Sequence, residues 1–215
     1  MKLIVFGATG NIGQRIIQEA LNRGHEVKGV ARHPERLALS HPRFSLEAGN
    51  VLDPAEVARL VSGYDVVISA IGPARETAED PRVVVQAAQA LIEGLKRAGV
   101  RRLVVVGGAG SLEVAPGVQL MDAPGFPPAW RPIATAAREA LEVYRQQGGD
   151  LDWTYLSPAA FIEPGQRTGR YRVGTEQLVT DEKGESRISM EDYAVALLDE
   201  VERPRFVRQR FTVAY

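Results

Sequence analysis

Three glycines near the start of the chain constrain its fold more than any other feature. They stand in Gly7-Ala8-Thr9-Gly10-Asn11-Ile12-Gly13, directly after the apolar run Leu3-Ile4-Val5-Phe6. A stretch of helical period follows, with Ile12, Ile16, Ile17, Ala20 and Leu21 on one face. A buried strand that turns at once into a helix needs its first glycine for the tight turn. The second lets the backbone approach a ligand, and the third lets helix and strand pack closely. The new helix start offers unbonded N–H groups and the positive end of its dipole to an anion. The spacing is G-x-x-G-x-x-G rather than G-x-G-x-x-G, and its placement between strand and helix predicts a dinucleotide pyrophosphate at Gly7, Gly10 and Gly13.

The same alternation continues along the chain. Strands are predicted over residues 26–31, 43–48, 65–70, 102–106 and 151–156, and helices over 11–23, 54–61, 82–98 and 134–147. Asp53 reads as an N-cap with Pro54 at the first helical position, and Gly99 as a helix stop. This order predicts an α/β fold of Rossmann type, a doubly wound parallel sheet with helices on both faces. The uniformly apolar strands agree, because a parallel sheet is covered on both sides. We read residues 1–215 as one NAD(P)-binding domain with two irregular regions. Residues 112–132 hold five prolines with Phe126 and Trp130 and are expected to form an active-site loop. Residues 157–189, with four glycines and short strand-like pieces, are expected to form a small C-terminal substrate lobe. Ser189 and Asp192 then open a helix running to about residue 202. Residues 206–214 read as a last strand, with Arg203, Arg205, Arg208 and Arg210 on an exposed face.

Composition removes several functions. With 26 Lys and Arg against 27 Asp and Glu, no electrostatic case for a nucleic-acid partner exists. The absence of cysteine excludes disulfides, thiolate catalysis and iron–sulfur clusters, and suits a reducing cytoplasmic setting. No apolar run approaches membrane-spanning length, so no membrane partner is expected. His25, His33 and His41 are scattered without ligand spacing, which argues against a metal, and no G-x-S-x-G elbow is present.

The second predicted strand ends Val30-Ala31-Arg32-His33-Pro34. NAD binders usually carry an acid there for the ribose 2′-hydroxyl. Arg32 could instead pair bidentately with a 2′-phosphate, assisted by Arg36, so the site is expected to prefer NADP(H) over NAD(H). The alternative for Arg32 is a solvated loop cation. Asp53 is read equally as a cap and as a residue beside adenine.

Beyond the glycine motif, the chain contains Asn50-Val51-Leu52-Asp53, Val66-Val67-Ile68-Ser69-Ala70-Ile71-Gly72, Val104-Val105-Val106-Gly107-Gly108-Ala109-Gly110, Asp152-Trp153-Thr154-Tyr155-Leu156-Ser157-Pro158-Ala159 and Arg187-Ile188-Ser189-Met190-Glu191-Asp192-Tyr193-Ala194. With these it resembles the atypical short-chain dehydrogenase/reductase group, the NmrA-like NAD(P)-binding family. Within that group it is most similar to NADH-flavin reductases of the biliverdin reductase B kind. The resemblance implies Thr9, Asn11 and Ile12 at the pyrophosphate, Arg32 at the 2′-phosphate and Asp53 near adenine. It implies Ala70, Ile71 and Gly72 on the adenosine ribose side and Gly107 and Gly108 under the nicotinamide ribose. Pro158, Ala159 and Ala160 would flank the nicotinamide.

One departure from the wider group decides the expected chemistry. Ordinary short-chain dehydrogenases move a proton with a Tyr-x-x-x-Lys pair. None of Tyr64, Tyr144, Tyr155, Tyr171, Tyr193 and Tyr215 has Lys four residues on. The expected reaction is therefore hydride transfer to a planar flavin or quinone-like acceptor, FMN included, for which water can supply the proton. Phe126, Trp130 and Phe161 are the candidate stacking residues, and Ser111 a candidate hydrogen-bond donor to the acceptor. The alternative is a non-catalytic NADP(H)-binding redox sensor acting through a protein partner. A small-metabolite isomerase or reductase with a different proton donor ranks third.

Overall fold

Along each predicted strand, successive side chains enter different cores. In the first, Leu3 and Val5 join one buried cluster, while Ile4 and Phe6 join the other. A strand can be apolar at every position only if both faces of its sheet are covered. The computed structural model has that arrangement and describes residues 1–73 and 80–215.

The elements are β1 (Lys2–Phe6), α1 (Asn11–Asn22), β2 (Glu26–Ala31), β3 (Phe44–Ala48), α2 (Pro54–Val61), β4 (Val66–Ser69), α3 (Val83–Ala98) and β5 (Arg102–Val106). They continue with β6 (Glu113–Ala115), β7 (Val118–Gln119), α4 (Arg131–Gln147), β8 (Asp152–Ser157), β9 (Phe161–Glu163), β10 (Arg172–Gly174), β11 (Arg187–Ser189), α5 (Met190–Glu202) and β12 (Gln209–Ala214). Eight strands form one sheet in the order β10-β12-β8-β5-β4-β1-β2-β3. Every neighbouring pair is parallel except β10 with β12. The core on the side of α1 and α5 contains Ile16, Ile17, Tyr193 and Leu197, and that on the side of α2, α3 and α4 contains Val57, Leu91, Leu95 and Leu141. The chain reverses direction of winding between β1 and β4, the position where open α/β sheets bind ligands at their C-terminal strand ends. The fold is the expected Rossmann-type α/β sheet with helices on both faces.

The helix signals hold where their chemistry is local. The Asp53 carboxylate accepts from Ala55 and Glu56 N–H, the Ser189 hydroxyl accepts from Asp192 N–H, and Gly99 ends α3 in the left-handed region at φ 70°.

Three expectations are corrected. α4 begins at Arg131 rather than 134, because Pro132 sits in the first turn, where its missing N–H costs nothing. Residues 112–132 are not a wholly irregular loop, since β6 and β7 pair antiparallel around Gly117 and two short 3-10 turns follow. The arginine series is not one exposed face. Arg210 is only 4% exposed, its guanidinium held by Ser111 and Glu176, whereas Arg203, Arg205 and Arg208 remain exposed. Within residues 157–189, β9 and β11 pair with each other while β10 extends the main sheet. Among the described residues, no helix is long and apolar enough to cross a membrane.

Candidate functional site

The turn after β1 is fixed by two of its three glycines. Gly7 has φ 83°, and a Cβ there would stand 2.4 Å from the Ala70 carbonyl oxygen. A Cβ on Gly13 would stand 2.1 Å from the Gly7 carbonyl oxygen. Both are demanded by close backbone approach within the protein. Gly10 differs. Its φ of −74° suits any residue, and an added Cβ would meet nothing nearer than Gly7 O at 3.4 Å. Its exposed position at the N-cap of α1 carries no side chain, and no side chain caps the helix. The first-turn N–H groups around Asn11 and Ile12 are thus left to an outside acceptor. Thr9 is tied to the same turn, its carbonyl accepting from Gln14 Nε2 at 2.8 Å.

The other expected cofactor residues lie at the C-terminal ends of neighbouring strands. Arg32 follows β2 and is exposed. Asp53 follows β3 and spends its carboxylate on the α2 cap. Ala70, Ile71 and Gly72 follow β4, with Ala70 and Ile71 half-buried and Gly72 exposed. Gly107 and Gly108 follow β5 against Tyr155, whose ring would lie 2.1 Å from a Gly107 Cβ. The Tyr155 hydroxyl accepts from Gly108 N–H at 3.2 Å and donates to Ala137 O at 2.9 Å. Burial pushes that phenol up to about 12, so it stays neutral and structural near pH 7. Pro158 and Ala159 are buried after β8, and Ala160 N–H donates to the Ser186 hydroxyl at 3.1 Å.

Ser157 is a residue the sequence reading passed over. It ends β8, is fully buried, and its hydroxyl has no hydrogen-bond partner. An orphaned polar atom of this kind is costly unless something satisfies it. Together with the uncapped α1 start, it fits a polar ligand lying along these strand ends.

The three aromatic residues singled out from the sequence meet in space. Phe126 and Trp130 have ring centroids 6.2 Å apart at 80°, and Trp130 and Phe161 6.4 Å apart at 73°. Trp130 and Phe161 stay 47% and 55% exposed, and Arg131 stands 6.0 Å over the Phe126 ring. The chain runs from Pro158 to Phe161 within three residues, which carries this cluster to the edge of the expected nicotinamide position. Ser111, the candidate donor to the acceptor, lies in the lining of a cavity beside α4. It is buried, and its Oγ accepts from Arg210 Nη1 at 2.7 Å.

A second feature escaped the sequence because its partners are distant in the chain. The exposed segment 164–170 is fastened to α1 and α5 by three acids. Arg167 makes paired bonds to Glu19 at 2.7 and 2.8 Å, Gly165 N–H donates to Glu191 at 2.8 Å, and Thr168 and Gly169 donate to buried Asp192. Arg15, one turn into α1, holds Glu191 at 2.6 Å.

Residues 7–203 match the NAD(P)H-binding family, and the match opens on the first glycine of the turn. The chain belongs to that family. YwnB of Bacillus subtilis, itself uncharacterised, is 40% identical over 99% of this chain and 98% of its own length. A structure named as a candidate exported protein of Burkholderia pseudomallei is 50% identical, covers both chains in full and superposes with a TM-score of 0.90. A structure from Streptococcus pneumoniae named as a candidate NADH-flavin reductase is 33% identical over 100% of this chain and 99% of that one, with a TM-score of 0.86. NAD(P)H binding and the Rossmann-type fold are thus family properties of this chain.

Proposed function

We propose that this protein is an NADPH-dependent oxidoreductase that passes hydride to a flavin or quinone-like acceptor without a Tyr-x-x-x-Lys relay. The observation that carries this reading is the exposed Phe126–Trp130–Phe161 cluster beside Pro158–Ala160. Three apolar rings left partly open near the strand ends are suited to a planar partner. The name of the S. pneumoniae neighbour, which shares the whole chain, supports the same acceptor class.

The residues divide the work. The N–H groups following Gly10 hold the pyrophosphate, Arg32 with Arg36 favours the 2′-phosphate, and Asp53 with Ala70–Gly72 borders the adenosine. Gly107 and Gly108 lie under the nicotinamide ribose, and Ser157 offers it a hydroxyl. Pro158, Ala159 and Ala160 form one wall, and the aromatic cluster orients the acceptor and sheds water from the reacting faces. Bound NADPH supplies a hydride, and bulk water supplies the accompanying proton. Tyr155 takes no part in proton transfer, since both of its hydrogen-bonding roles are filled.

The test is NADPH consumption with FMN, riboflavin and a quinone as acceptors, followed by its absorbance. Turnover with at least one is expected. Tight cofactor binding with no turnover across the panel would overturn the reading in favour of a redox sensor. A cytosolic setting goes with a supply of NADPH. Cell fractionation tests it against export, the property in the name of the B. pseudomallei neighbour.

A further inference from the structure

A cavity of about 570 Å³ lies along the flank of α4, under the β6–β7 hairpin and the start of β12. None of the residues expected at the cofactor lines it. Three guanidiniums, Arg138, Arg145 and Arg210, share the lining with four carboxylates. Most of these charges are already spent. Glu176 accepts from both Arg145 and buried Arg210, Arg145 also bonds Glu142, and Glu139 faces Arg82. An excess of carboxylates makes the lining unattractive to a plain anion.

Two charges differ from the rest. Arg138 bonds only the neutral amide oxygen of Gln119, at 3.1 Å, and forms no ion pair among the described residues. The Glu113 carboxylate likewise forms none. Glu113 and Gln119 are direct cross-strand partners in the hairpin, and Arg138 reaches Gln119 from α4, so the two opposite charges line one cavity. Gln119 takes up Arg138 in place of the acid. Leu141 and Val143 add aliphatic surface to the same cavity.

We propose that this cavity binds a small zwitterion of the α-amino-acid class. Its carboxylate pairs with Arg138, its ammonium with Glu113, and an aliphatic side chain lies toward Leu141 and Val143. A half-buried cation and anion that line one cavity without pairing match a ligand carrying the opposite two charges. The cavity shares no lining residue with the expected pyridine-nucleotide site.

The experiment titrates the full chain with L-leucine, with leucinamide, which lacks the carboxylate, and with 4-methylpentanoate, which lacks the ammonium. Binding is read by calorimetry and by amide shifts of Gln119 and Arg138. Saturable binding of leucine, with both half-ligands at least roughly tenfold weaker, is expected. Arg138→Gln and Glu113→Gln should each weaken leucine to a similar degree while NADPH affinity stays the same. No leucine binding, or equal binding of leucinamide or of 4-methylpentanoate, would overturn the proposal. Those comparisons use the unaltered protein and hold even if a variant fails to fold.

Discussion

Gly13 lies so close to Gly7 that a Cβ on it would stand 2.1 Å from the Gly7 carbonyl oxygen, whereas a Cβ on Gly10 would find nothing nearer than 3.4 Å. One motif thus contains glycines kept for two different reasons. Gly13→Ala should destabilise the protein by about 3 kcal/mol or more, because a backbone atom would have to move. Gly10→Ala should cost about 1 kcal/mol or less in stability, the ordinary loss at an N-cap. It should nevertheless weaken NADPH roughly tenfold or more, since the new methyl occupies the approach to the helix N–H groups. Urea unfolding and NADPH titration on both variants separate the two effects. A Gly10→Ala protein that binds NADPH normally would contradict this assignment.

Arg32 follows the last residue of β2 at an exposed position, where the sequence offers no acid. Arg32→Asp should weaken NADPH by about 1–3 kcal/mol through loss of a charge-assisted pair, and leave NADH nearly unchanged. Fluorescence titration using Trp130 and Trp153 reports both. Equal affinity of the native protein for the two nucleotides removes the argument from Arg32.

Trp130 stands between Phe126 and Phe161 and is about half exposed. Trp130→Ala should raise the KM for a flavin acceptor roughly tenfold by removing one stacking plane, with NADPH affinity unchanged. Its exposure predicts little loss of folding stability. Steady-state kinetics at saturating NADPH and a thermal melt check the two halves of this expectation.

Asp192 is fully buried yet stays ionised. Burial alone would raise its pKa, but bonds from the Thr168 hydroxyl, the Tyr215 hydroxyl and the Gly169 and Thr168 N–H groups outweigh that and hold it below the ordinary value. The folded pKa is therefore lower than the unfolded one, near ~3.9. The resulting stabilisation is complete above the unfolded value and is lost as pH falls through the folded value. Glu19, held chiefly by Arg167, shifts in the same direction. Unfolding free energy should thus decline below about pH 4, and Asp192→Asn should flatten part of that decline while costing roughly 2–3 kcal/mol at neutral pH. Urea unfolding at a series of pH values measures both. An unchanged acid limb in the variant would assign the decline to other acids.

Features set by neighbouring residues are legible in the chain itself. The turn at Gly7–Gly13 and the caps Asp53, Ser189 and Gly99 depend on backbone sterics and on side chains reaching two or three residues along the chain. The strand faces of β1 followed from period, since covered sheets require apolar residues at every position. Type and place single out Phe126, Trp130 and Phe161 as candidate stacking residues, but only folding brings residue 161 to residue 130.

The order of residues was enough for the layered α/β sheet and for the glycine turn after β1, because both rest on local periodicity and on steric needs within a few bonds. Folding settled the fate of Arg210 and Ser111, the orphaned Ser157 hydroxyl, the three-acid fastening of segment 164–170 and the placing of Arg138 and Glu113 in one cavity. An isolated arginine on an alternating strand reads as solvated. Arg210 is buried because Ser111 and Glu176, both distant in the chain, close on its guanidinium, contacts that no local pattern encodes.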